Sequence, residues 1–385
     1  MIFLYTLLEI YCHKKIIISV IPFAAAALLI VQTSCGGEKK PSGETTKETS
    51  AAANVSEADA ALIKKASQVF GVLPEKADNP DNPINDDKVK LGKMLYYEPR
   101  LSKSGWISCN SCHNLATYGV DNLPTSIGHK WNIGDRNAPT SFNAALHIAQ
   151  FWDGRAANVE EQAKGPVLNP GEMASPHEQF AVDRIASIKE YAELFTKAFP
   201  GETNALTYNN IAKAIGAFER TLLTPSRFDE YMQGKADALN EQEKKGMETF
   251  INSGCITCHM GSTVGGNMYQ KFGVKKDYWT LTKSKKKDEG RAVVTKKPED
   301  KYFFKVPSLR NVERTYPYFH DGSIWTLDEA VSIMGELQLD KKFTADEVAD
   351  IVAFLKALTA PLPETAKEIP VLPASAANTS KPDFN

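Results

Sequence analysis

Two five-residue stretches, Cys109-Asn110-Ser111-Cys112-His113 and Cys255-Ile256-Thr257-Cys258-His259, are the places where residue type and spacing together specify a chemistry. Two thiols one helical turn apart can add across the two vinyl groups of a haem, and the adjacent imidazole then lies under the iron as its proximal ligand. With 6 Cys and 7 His among 385 residues, one chance match is expected about 0.002 times per chain and two about once in a million chains, so the pair is read as two covalent c-type haems.

Other chemistries fit the spacing less well. A zinc site places its cysteine pairs about 15–20 residues apart, whereas these lie 146 apart. A disulfide across each pair leaves the following histidine unexplained. A thioredoxin-like redox motif requires a βαβ context, which the surrounding sequence does not offer. The cysteine count closes on the haem reading, because Cys12 and Cys35 both lie in the N-terminal segment.

A proximal histidine fills one side of each iron, so the opposite side decides the function. An electron-transfer haem is capped on both sides, whereas a catalytic haem must have, or be able to open, a vacant position. His129, His147, His177 and His320 remain for other work. From the sequence alone each reads first as a hydrogen-bonded structural residue, and Met334 as a core residue of its helix. Spacing does not choose among them.

The elements that must position these motifs are mainly helices. Residues 207–223 place Ile211, Ala214, Ile215, Phe218 and Leu222 on one face. Thr326 with Glu329, and Thr344 with Glu347, predict capping boxes that start two further helices, the second ending near Pro361. Alternating β patterns are scarce, and long loops are expected over 118–145 and 262–310. The length suggests about two domains, with a break at Thr224-Pro225-Ser226. One haem motif lies on each side of that break, giving expected domains at 56–224 and 225–385.

The composition, 42 % hydrophobic and 24 % charged with a net charge of −2, is that of a globular protein and excludes a strongly basic nucleic-acid binder. Lys14-Lys15, an apolar run from Ile16 to Val31 and a small-residue stretch ending at Cys35 resemble a bacterial lipoprotein signal. Cleavage before Cys35 removes Glu9, Lys14 and Lys15 and takes the charge from −2 to −3. An exported chain is expected, with a lipid anchor on Cys35 and a flexible tether over 36–55.

The runs LGKMLYYEPRLS, ISCNSCHN, TSIGHKW, RNAPTSFNA, AQFWDGR, AKGPV and GEM, then GCITCH, VPSLRNV, TYPYFHDG and SIMG, closely resemble the bacterial dihaem cytochrome c peroxidases over roughly residues 70–375. The resemblance implies two cytochrome c-like helical domains, each carrying one covalent haem, and reduction of hydrogen peroxide in the periplasm by a chain that pairs as a homodimer. It implies a low-potential peroxidatic haem on His113, with His129 as a displaceable distal ligand and Glu172 as the acid/base residue near Gln162 and Pro166. Without the family, Glu172 would read as a solvated loop carboxylate. It further implies a high-potential, electron-receiving haem on His259 with Met334 as its other ligand, and Trp152, otherwise an ordinary core aromatic, between the two haems. Asn137 and the carbonyls of Thr315 and Pro317 match a calcium site, a set of hard oxygen donors. His320 matches a haem-propionate partner.

The competing function is a dihaem electron carrier with both irons six-coordinate, which peroxide turnover would separate from the enzyme. A related dihaem enzyme that matures a tryptophan-derived quinone has Tyr where this chain has Met334. The electron donor is expected to be a small cytochrome c or a cupredoxin. The basic run from Lys283 to Lys287 reads as a solvated loop in preference to a docking patch.

Overall fold

The computed structural model of the chain describes residues 55–385, so the expected signal segment, Cys35 and nearly all of the tether lie outside the described residues. In the first half run α1 (Glu57–Ala66), α2 (Asp86–Tyr96), α3 (Cys109–Cys112), α4 (Val159–Leu168), α5 (Glu178–Ala186), α6 (Lys189–Ala198) and α7 (Tyr208–Glu219). The second half holds α8 (Arg227–Met232), α9 (Glu241–Asn252), α10 (Trp279–Thr282), α11 (Ala292–Thr295), α12 (Leu327–Leu339), α13 (Ala345–Ala357) and α14 (Glu364–Lys367).

Side-chain caps explain where several of these helices begin. Asn85, Asn158, His177 and Thr207 each accept a hydrogen bond from the backbone N–H three residues on. Asn240 and Thr344 close full capping boxes with Glu243 and Glu347. Thr326 accepts from the Glu329 amide, but the Glu329 side chain does not return the bond, so the expected box is half formed. The 262–310 segment is more ordered than its composition suggests. It pairs β1 (Tyr269–Lys271) antiparallel to β2 (Phe303–Lys305), with Tyr269 opposite Lys305, and carries α10 and α11.

Two apolar cores form. One gathers Leu91, Leu95, Tyr96, Phe142, Tyr191, Ile215 and Phe218, and the other gathers Phe228, Phe250, Val331, Ile351, Phe354 and Leu355. The chain passes between them at 224–226, and its ends cross over. Ala66 and Phe70 pack into the second core, while Ala366 and Leu372 pack on the first. Each end of the described chain finds its apolar partners on the far core.

The cores repeat one device. A Cβ on Gly92 would come within 1.8 Å of the Ala214 carbonyl oxygen, and one on Gly246 within 1.8 Å of the Asp350 carbonyl oxygen. Helix pairs α2/α7 and α9/α13 therefore cross backbone to backbone at a glycine, closer than any side chain allows. Beside each crossing an aromatic pair fills the core, Tyr96 with Phe218 and Phe250 with Phe354, with ring centroids 5.5 and 5.4 Å apart.

Candidate functional site

The two Cys-x-x-Cys-His motifs follow directly from the crossing helices, α2 leading to α3 and α9 to a short turn over Cys255–Thr257. All four cysteines are free thiols. Burial pushes Cys112 and Cys255 up to about 11 and Cys109 higher still. A disulfide-exchanging Cys-x-x-Cys has a thiol pKa moved the other way.

Each proximal histidine meets a repeated loop. His113 donates through Nδ1 to the Pro139 carbonyl at 2.8 Å, which leaves Nε2 for a metal. Burial lowers the pKa of His259 to about 4; the Pro307 carbonyl opposes the shift without closing a hydrogen bond to Nδ1. Both loops continue to an asparagine in the left-handed region, Asn143 at φ 60° and Asn311 at φ 61°. The Asn143 amide donates to Leu222 and its Oδ1 accepts from Thr224; the Asn311 amide donates to Leu358 and its Oδ1 accepts from Ala360. The Pro-x3-Asn pattern at 139–143 and 307–311 was visible in the sequence, and comparing the chain with itself would have found it.

Around the first motif the structure brings together His129 and Glu172. The His129 amide donates to the Glu172 carbonyl at 2.8 Å, and a Cβ on Gly128 would come within 2.0 Å of the Gly171 carbonyl oxygen. His129 is 6 % exposed, yet among the described residues neither ring nitrogen has a hydrogen-bond partner. Such an orphaned imidazole is the feature expected of a metal ligand. The turn that holds it bends through left-handed Lys130 and Trp131, at φ 55° and 62°. Glu172 is half-buried, and its Oε1 accepts from Asn169 Nδ2 at 2.8 Å. Burial raises the Cys112 thiol and lowers the His113 imidazole, and the nearby Glu172 charge adds a small upward push to each. Gln162 lies half-buried on α4, where Pro166 removes the N–H that would bond the Gln162 carbonyl. Among the described residues no hydrogen bond joins Gln162 to Glu172.

Around the second motif lies a cavity of about 370 Å³, lined by Cys255, Cys258, His259 and Met334 among apolar neighbours such as Phe250 and Leu355. Two thiols, an imidazole and a thioether in one apolar cavity fit a covalently held haem with His and Met on its iron. Asn137, Trp152, Thr315, Pro317 and His320 line the same cavity. Trp152 donates its indole N–H to the Asn137 carbonyl at 2.9 Å and accepts from the Lys305 amide at 2.7 Å, so it ties the two halves of the chain together. Asn137 donates through Nδ2 to Leu123, leaving Oδ1 for another partner. Among the described residues no group of three or more His, Cys, Asp or Glu gathers into a metal cluster. His320 stacks on Phe304 with centroids 4.4 Å apart, and its Nε2 is buried without a partner.

His177 caps α5 through Nδ1 and is structural. Lys286 pairs with Asp135, and Lys287 lies over the Trp279 ring. Sequence reasoning missed the Arg136 clamp, which joins Asp153 to Asp288 across the halves, and the contact of His147 with Lys305. Arg136 stood inside the quoted RNAPT run, but its partners are remote in sequence.

Residues 86–237 match the di-haem cytochrome c peroxidase family, and residues 243–359 match the cytochrome c family. A cytochrome c551 peroxidase of Nitrosomonas europaea is 50 % identical over 80 % of this chain and 90 % of its own. One of Pseudomonas aeruginosa is 47 % identical over 84 % of this chain and 92 % of its own. A solved MauG-like protein associated with microbial copper homeostasis superposes with a TM-score of 0.68 at 29 % identity, covering 77 % of this chain and 97 % of that one. Repeated helix crossings, doubled haem motifs and this degree of identity agree: the chain belongs to the di-haem cytochrome c peroxidase family.

Proposed function

We propose that the protein reduces hydrogen peroxide to water with electrons taken singly from a small periplasmic donor, a cytochrome c or a cupredoxin. Cys109, Cys112 and His113 would hold one haem, with His129 as its distal ligand; Cys255, Cys258 and His259 would hold the other, with Met334. When bound, the two haems supply the iron at which peroxide is reduced and a second centre that stores one of the two electrons.

The chain's own residues do the rest. The Glu172 carboxylate accepts a proton from the nearer peroxide oxygen and gives it to the departing one, the work of a positioned general base and acid. Gln162 would be a second polar group for peroxide. His129 would be the ligand that gives way before peroxide is bound. Trp152 sits on the route between the haem sites. Asn137 Oδ1 with the Thr315 and Pro317 carbonyls would bind calcium, and His320 would contact a propionate. The export signal, a lipid on Cys35, a homodimer and the assignment of the two halves as peroxidatic and electron-receiving domains belong to the same reading.

The observation that carries it is the buried His129 ring with both nitrogens unpartnered, tied by its backbone to Glu172. The test is peroxide turnover with a reduced donor by protein shown by pyridine haemochrome to carry two haems. Two haems without turnover would favour the electron carrier.

A further inference from the structure

The cavity beside His259 has a cation in its wall. Lys305 ends β2 and is 6 % exposed. Its amide is fixed by the Trp152 carbonyl, and its Nζ meets His147 Nδ1 at 3.2 Å. An ammonium carries three donors, and among the described residues no carboxylate lies within ion-pair distance of this one. Burial pushes its pKa down to about 8, as expected for a cation placed in an apolar wall without a counter-ion.

His147 completes the pattern. Burial and the neighbouring ammonium hold its imidazole neutral, so when Nδ1 accepts from Lys305 the ring proton sits on Nε2. That atom is buried and has no partner among the described residues. The ring is clamped in place, since a Cβ on Gly266 would come within 2.4 Å of its Cδ2. Lys305 and His147 thus bring donor capacity to the cavity that Cys255, Cys258 and His259 also line, and among the described residues no carboxylate meets it.

We infer that Lys305 and His147 form a carboxylate-binding pair, and that the carboxylate they hold is a propionate of the haem attached at Cys255 and Cys258. This rests on the proposed attachment of that haem. A cation fixed beside the macrocycle offsets the negative propionate and favours the ferrous state, so Lys305 also helps keep this haem at high potential.

The test uses the full-length holoprotein and its Lys305→Gln, Lys305→Arg and His147→Gln variants, with the haem count and both midpoint potentials measured by spectroelectrochemical titration. The expected result is two haems per chain, a lowered potential of the second haem in Lys305→Gln, a smaller drop in His147→Gln, and recovery in Lys305→Arg. If Lys305→Gln fails to fold, His147→Gln carries the same expectation alone. Two haems with the second potential unchanged would overturn the pair. A shift confined to the first haem would overturn the assignment by placing that haem's carboxylate here. A wild-type protein lacking haem at Cys255 and Cys258 would instead remove the attachment on which the pair depends, a failure read directly from the haem count.

Discussion

The backbone amide of His129 donates to the carbonyl of Glu172 at 2.8 Å, so the proposed distal ligand and the proposed proton carrier are joined through main chain and not through side chains. Exchanging the Glu172 side chain leaves that bond intact, whereas displacing either loop moves both residues. Gly128 is the point where the loops touch. Gly128→Ala is expected to part them and turn the ferric spectrum of the first haem from low-spin toward high-spin with both haems still loaded. Electron paramagnetic resonance checks this; an unchanged low-spin signal would separate the loop contact from His129 ligation.

Gly92 and Gly246 carry the two helix crossings. Alanine at an exposed helical site gains about 1 kcal/mol over glycine, but here the added methyl would meet a carbonyl oxygen at 1.8 Å. Overpacking of this kind costs about 1–3 kcal/mol or more. Gly92→Ala and Gly246→Ala should therefore each lower the denaturation midpoint, and a midpoint at or above wild type in either variant would contradict the close crossing.

The buried Glu160–Arg220 pair sets an acid limit. Burial alone would raise the Glu160 pKa, but the Arg220 and Asn82 hydrogen bonds overcome it and bring it from 4.5 to about 2. A depressed carboxylate pKa contributes stability that is fully present above about pH 4.5 and is lost as pH falls toward 2. Thermal melts should show wild type losing stability across that window. Glu160→Gln should be less stable at pH 7, with Arg220 left buried and unpaired, and should lose less between pH 4.5 and 2. Parallel curves for the two proteins would remove the pair from the acid response.

Met334 lines the second cavity beside His259. A thioether ligand favours ferrous iron more than an imidazole does, so Met334→His should lower the midpoint potential of the second haem and leave the first near its wild-type value. A redox titration with both potentials unchanged would take Met334 off the iron.

The sequence made the haem chemistry legible because two motifs hold all their donors within five residues. A helix start was legible where the cap is local, as at Thr344. The crossing of the chain ends was not, because Phe70 and Ala366 look like ordinary apolar residues until their partners on the far core are known. His147 and Lys305 were opaque for the same reason: they lie 158 residues apart and acquire meaning only when β2 brings them into one wall. Glu172 was legible only through the family resemblance, since nothing in the GEM run itself distinguishes it from a surface carboxylate.

The most direct test of the account is steady-state peroxide turnover by Glu172→Gln protein carrying two haems, with a reduced donor in excess. The amide keeps the shape and the backbone contact to His129 but removes the base, and general acid–base catalysis is typically worth about 10²- to 10⁴-fold. Turnover should fall by that order while the low-spin ferric spectrum of the first haem stays as in wild type. Full turnover in Glu172→Gln would contradict the proposed peroxide site.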